Sequence, residues 1–169
     1  MGMIGEYARL TPEQFQRALG DPEWAHELVL ETGTAEWETK PEPGRARRLD
    51  VDKAWDGIRF LLERSGFLVD VVLGGELIPG AADWGCTPPR HLTPAQVAEV
   101  AGELARTPFE ALVADLDPAE LTRADTYPSG LWDEGGADGL EYVRHHYEAL
   151  RVFLAAAARD GDTVLLWIS

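Results

Sequence analysis

Five predicted helix starts along this chain share one device, a capping oxygen immediately before a proline: Thr11-Pro12, Asp21-Pro22, Thr93-Pro94, Thr107-Pro108 and Asp117-Pro118. A threonine or aspartate just ahead of a helix accepts a hydrogen bond from an amide that the helix leaves unpaired. Proline at the first helical position has no N–H to leave unpaired, and its φ is already helical. Five such starts in 169 residues commit much of the chain to separately capped helices. Gln14, Gln96 and Glu110, each three residues after its threonine, complete capping boxes.

The two ends read as strands. Residues 163–168 are almost continuously apolar and predict a strand buried on both faces at the centre of a sheet. Residues 3–10 put Ile4, Ala8 and Leu10 on one side and Tyr7 and Arg9 on the other, which predicts a strand with one solvated face. Shorter strands are predicted around Val69–Leu73 and Arg90–Leu92. Between them, Val51, Ala54, Trp55, Ile58, Leu61 and Leu62 recur at helical spacing opposite Asp52, Lys53, Asp56, Arg59 and Glu63. Asp50 or Asp52 caps this helix, and Gly66 ends it. A last helix, about 138–159, carries Leu140, Val143, Tyr147, Leu150, Leu154 and Ala157, flanked by a second stripe of Tyr142, His146, Ala149 and Phe153. Residues 32–48 lack periodicity and predict an exposed loop. The expected architecture is α+β: a helix-rich single domain over residues 1–169 with a small mixed β-sheet that includes both the N-terminal and C-terminal strands.

Charge sorts the partners. Thirty acidic residues face fifteen basic ones, a formal net charge of −15. Such a chain repels a phosphate backbone unless its cations gather on one face, and the one basic cluster is Lys40 to Arg48, with Arg45, Arg47 and Arg48, so nucleic acid is not expected as a partner. About half of the excess falls in residues 103–141, which carry ten acids against Arg106 and Arg123. A single cysteine, Cys86, forms no internal disulfide. With no run of about 18 apolar residues and no signal sequence, the expectation is a cytoplasmic protein without a membrane partner.

Two segments hold the candidate binding residues. Trp84-Gly85-Cys86-Thr87-Pro88-Pro89-Arg90-His91 places an indole, a thiol, a guanidinium and an imidazole in one turn-rich stretch. Trp84, Arg90 and His91 are its ligand candidates. Cys86 reads as a small buried hydrophobe, because a thiolate nucleophile needs a base that adjacency in sequence does not supply. The second segment, Tyr127 to Gly136, sets Trp132 beside Asp133 and Glu134, and an indole among carboxylates suits a cation or a basic side chain. The competing reading is that Tyr127 and Trp132 pin the loop to the core. His145 and His146 are adjacent, about 100° apart on a helix, whereas two helical ligands to one ion sit three or four residues apart. No metal site, catalytic residue or cofactor is therefore assigned. The Gly74-Gly75 turn lacks the spacing of a phosphate loop, and the common hydrolase and zinc signatures are absent.

The stretch LDVDKAWDGIRFLL (Leu49 to Leu62), the opening MGMIGEY, Leu73-Gly74-Gly75, Pro89-Arg90-His91-Leu92-Thr93-Pro94, Tyr127-Pro128 and the ending Val164-Leu165-Leu166-Trp167-Ile168 together resemble the YfbM-like family of bacterial proteins, a domain of unknown function. The resemblance spans Met1 to Ser169. It implies a compact mixed domain of helices around a small sheet and supplies no catalytic or binding residue. The family pattern often has His where this chain has Arg59 and Tyr where it has His91, which weakens any histidine-based mechanism. The functional expectation is a non-catalytic interaction domain whose acidic surface (residues 103–141) meets a basic protein partner, in the manner of a toxin antagonist. The alternative is a small-molecule site, enzymatic or not, between the Trp84–His91 and Trp132–Glu134 loops.

Overall fold

A computed structural model describes residues 2–133 and 137–169. Five strands form one sheet in the order β2-β1-β5-β4-β3: β1 (Gly5–Leu10), β2 (Arg48–Asp50), β3 (Glu76–Leu77), β4 (Arg90–Leu92) and β5 (Thr163–Ile168). Among the described residues seven helices surround it: α1 (Pro12–Gly20), α2 (Pro22–Thr39), α3 (Trp55–Arg64), α4 (Pro94–Ala105), α5 (Phe109–Val113), α6 (Ala119–Arg123) and α7 (Ala137–Asp160). The chain is thus α+β, with both terminal strands in the sheet and β5 at its centre, buried along its whole length. All four pairings are antiparallel where a mixed sheet was expected. The 24-residue α7 returns the chain to the end of β1, pairing Thr163 with Leu10, so β5 runs back against both neighbours.

Side-chain alternation across the strands splits the core in two. Tyr7, Leu92, Val164, Leu166 and Ile168 face a large cluster with Ile58 and Leu61 of α3, Val97 and Leu104 of α4, and Val143, Leu150 and Leu154 of α7. On the other face Ala8, Leu10, Leu165 and Trp167 pack with Ala18 of α1 and with Ala25 and Val29 of α2.

β1 departs from the expected half-solvated strand, because both its faces are covered. The polar tips that suggested exposure find partners inside: the Tyr7 hydroxyl donates to the Val71 carbonyl at 2.8 Å, and the Arg9 guanidinium meets Asp162 at 2.8 Å, each of those two side chains only 2% exposed. The segment 32–48 differs too. α2 continues to Thr39, its Thr32, Thr34 and Thr39 hydroxyls donating to the carbonyls of Leu28, Leu30 and Ala35 four residues back, so the polar side chains are satisfied without breaking the helix. Val69–Leu73 is a turn rather than a strand, since the Asp70 carboxylate accepts the amides of Val72 and Leu73, both at 2.9 Å.

Of the five helix starts, Thr11 and Thr93 form full capping boxes with Gln14 and Gln96, and Asp21 caps α2 by accepting the Trp24 amide, while at α6 Pro118 takes the cap position and Asp117, one residue earlier, accepts the Ala119 amide. Thr107 does otherwise: its hydroxyl donates back to the Glu103 carbonyl, and Pro108 takes the cap position of α5. No side-chain cap opens α3. The Asp50 carboxylate accepts the Asp52 amide instead, and a 3-10 turn over Asp52–Ala54 leads into the helix. Gly66 ends it at φ +81°, as the sequence predicts.

Candidate functional site

The residues that the sequence put forward are distributed between the two cores. Trp84 lies in the α1–α2 layer, stacked on His26 at 4.9 Å and edge-on to Trp167 at 5.1 Å. Its loop caps the end of β5: the amides of Cys86 and Thr87 both donate to the Ile168 carbonyl, and the Thr87 hydroxyl accepts the Ile168 amide at 2.9 Å. Gly85, at φ +121°, allows this approach, because a Cβ there would stand 2.5 Å from the Cα of Ser169. Cys86 is exposed, not the buried hydrophobe expected, since the turn spends its backbone on β5 and leaves the thiol outside.

Arg90 and His91 are consecutive in β4 and point to opposite faces. Arg90 pairs across from Leu166 and donates to the Gly75 carbonyl at 3.1 Å, whereas His91 pairs across from Leu165 and packs on Phe15 at 4.7 Å. His91 is buried, and its Nδ1 has no hydrogen-bond partner among the described residues. Trp132 belongs to the other layer, with α3 and α7, and its Nε1 donates to the Thr126 carbonyl at 2.9 Å. Asp133 is exposed and accepts from the Thr122 hydroxyl at 3.1 Å, and Glu134 lies outside the described residues. The sheet therefore stands between Trp84 and His91 on one side and Trp132 on the other. Trp132 pins its loop to the core, the competing reading of that segment.

The His145 and His146 rings stand nearly perpendicular, 5.2 Å apart, and His146 also meets the Tyr142 ring at 4.8 Å. Burial, and then His145, hold His146 below the ordinary histidine range. Burial and a bond to Asp52 push the Tyr142 phenol up to about 12. Among the described residues no three His, Cys, Asp or Glu side chains gather as metal ligands, and no helix is long and apolar enough to cross a membrane.

An open groove of about 700 Å³ lies between the C-terminal half of α2 and β2. Leu30, Gly33, Thr34 and Trp37 form its helix wall, and Glu6, Arg48 and Asp50, which alternate onto the α2 face of the sheet, form the other. Lys40, left-handed at the end of α2, closes one end beside Pro41. Two large apolar side chains are open to solvent here, Trp37 at 79% and Leu30 at 55% exposure. The walls are held firmly. Glu36 accepts the amides of Arg47 at 2.6 Å and Arg48 at 2.9 Å, tying the helix to the edge strand, and Arg48 donates to the Val29 carbonyl while pairing with Glu6 at 2.5 Å. Gly33 makes room for that guanidinium, since a Cβ there would lie 2.9 Å from its Nη1.

Next to the groove, Glu23, Glu27, Glu31 and Glu38 line the outer face of α2, all exposed and in none of the ion pairs among the described residues. The region 103–141 is different, because Glu110 and Glu141 meet Arg144, Glu120 meets Arg64 and Asp117 meets Arg123. Arg64 and Arg144 come from outside that stretch, so a count along the sequence overstates its open charge. The groove itself escaped the sequence reading because Trp37 and Lys40 fell in the segment taken for a loop. The signal was present in Leu30, Thr34 and Trp37, spaced four and three apart.

No curated protein matches this chain. Among solved structures, the crystal structure of YfbM from Escherichia coli, a protein of unknown function, superposes with a TM-score of 0.65 over 98% of this chain and 99% of that one, at 17% identity, which makes the two alike in fold. The family model described as Domain of unknown function (DUF1877) matches residues 1–167, in agreement with the resemblance carried by the Leu49–Leu62 stretch. On that match over nearly its whole length, the chain belongs to the DUF1877 family.

Proposed function

We propose that this protein is a non-catalytic interaction domain that meets a basic protein partner across the acidic face of α2 and the groove beside it. The observation that carries the reading is the position of Trp37 and Leu30, open to solvent next to four exposed glutamates that no arginine neutralises among the described residues. Large side chains of this kind supply most of the affinity in protein interfaces, and surrounding charge selects the partner and speeds encounter. A formal charge of −15 disfavours nucleic acid and favours a cationic protein. A basic enzyme held off its substrate, as an antagonist in the bacterial cytoplasm holds a nuclease toxin, is the class of partner this surface would take.

The 103–141 surface is the other acidic face such a partner would meet, with much of its charge already engaged by Arg64, Arg123 and Arg144. Affinity capture with the wild type, with Glu27→Lys/Glu31→Lys/Glu38→Lys and with Glu103→Lys/Asp115→Lys/Asp125→Lys separates the two. The expected result is a basic partner retained by the wild type and the 103–125 variant and lost by the α2 variant and in about 0.5 M salt, where the screening length falls to a few ångströms. Partners retained by both variants in high salt would overturn the reading.

A further inference from the structure

We infer that Trp37 is an aromatic platform for one cationic side chain, an arginine or lysine, on the basic partner; this deepens the interaction reading above and rests on it. Trp37 sits in the last turn of α2, and the Lys40 Nζ of the same chain lies 5.9 Å from its ring centroid. One face of this indole thus already draws a cation, and an indole is the aromatic ring that holds cations best. The chain uses the same geometry elsewhere: the Arg17 guanidinium stands 4.1 Å from the Trp24 ring and that of Arg48 5.0 Å from the Trp167 ring. Trp55, Trp84, Trp132 and Trp167 are buried, whereas Trp37 is 79% open to solvent.

The surroundings define what reaches it. Leu30 and Thr34 continue the wall from Trp37 and offer a surface for the aliphatic stem of a long basic side chain. Exposed Glu38 and Asp50 supply negative charge on the two sides, while Arg48 is held by Glu6 and the Val29 carbonyl. Strand addition is disfavoured at the start of β2, because the Glu36 carboxylate already occupies the amides of Arg47 and Arg48. Recognition here runs through side chains, and the occupant is an arginine- or lysine-bearing segment of the partner.

The test uses the full chain, labelled with ¹⁵N, and two octapeptides that differ only in having arginine or its neutral isostere citrulline around a central leucine. The Trp37 indole N–H signal should shift saturably with the arginine peptide, and the citrulline peptide should bind at least about tenfold more weakly. Trp37→Phe keeps a ring and should weaken binding a few-fold, while Trp37→Leu, apolar but without a ring, should weaken it at least about tenfold. Both substitutions replace an exposed side chain, so the fold tolerates them. Equal binding by the Phe and Leu variants, or a Trp37 signal that stays in place, overturns the platform. If the arginine peptide moves signals of α2 residues 23–36 but not that of Trp37, the platform falls and the α2 reading stands; if it moves only signals of residues 103–133, or binds nowhere, both fall.

Discussion

Two tryptophans show how the same residue type serves opposite ends in this molecule. Trp132 fills space between α3 and α7: a Cβ on Gly57 or on Gly139 would stand within 3.2 Å of its ring, so both glycines are small because the indole is there. Trp37 touches little and is open to solvent. Truncating the first removes a buried ring and strands the Thr126 carbonyl, so Trp132→Ala should destabilise by about 3–5 kcal/mol. Trp37→Leu should stay within about 0.5 kcal/mol of the wild type. Urea unfolding of the two variants checks this; an equal loss in both would remove the distinction between anchor and contact residue. The sequence put Trp132 forward as a candidate and left Trp37 in the segment read as a loop, because an indole beside acids reads alike whether it faces a core or a partner.

Among the elements, β1, α7, the turn before β5 and the segment before β2 are joined by one ion network. Arg9 bonds Asp162 at 2.9 Å and Asp160 at 2.5 Å, and Arg47 joins Asp162 at 2.9 Å. Arg9→Met would leave Asp162, 2% exposed, a buried charge with one partner fewer, and should destabilise by about 3–5 kcal/mol. Bonds from Arg159 and Arg9 hold the Asp160 carboxyl at about 2, below its ordinary value. The unfolded chain takes up this proton first as pH falls, so the stability that Asp160 lends is complete above about pH 4 and is lost between there and about pH 2. Asp160→Asn should flatten the acid limb of stability measured from pH 5 to 2; an unchanged limb would contradict the assignment. Elements set by local chemistry were legible in the sequence: three of the five cap-proline starts, the amphipathic α3 and α7, and the central β5. Elements decided by distant partners were not. Arg9 looked solvated because its carboxylates lie some 150 residues away. α2 looked finished where its threonines began because their bonds are made to the helix itself.

At the scale of the whole molecule, the sheet carries a core on each face, the Trp84–His91 loop caps the end of β5, and Trp132 is buried among α3 and α7. The margin where α2 passes the edge strand stays open, bearing exposed apolar side chains and acids that form no ion pair among the described residues. Charge density along the sequence pointed instead to residues 103–141, since only the folded chain brings Arg64 and Arg144 to those acids. The most direct test is hydrogen exchange on the protein alone and in complex with the basic partner it captures. Slowed exchange in residues 30–40 and 47–50, with residues 103–125 unchanged, is the result this account predicts. Protection confined to residues 103–125 would contradict it.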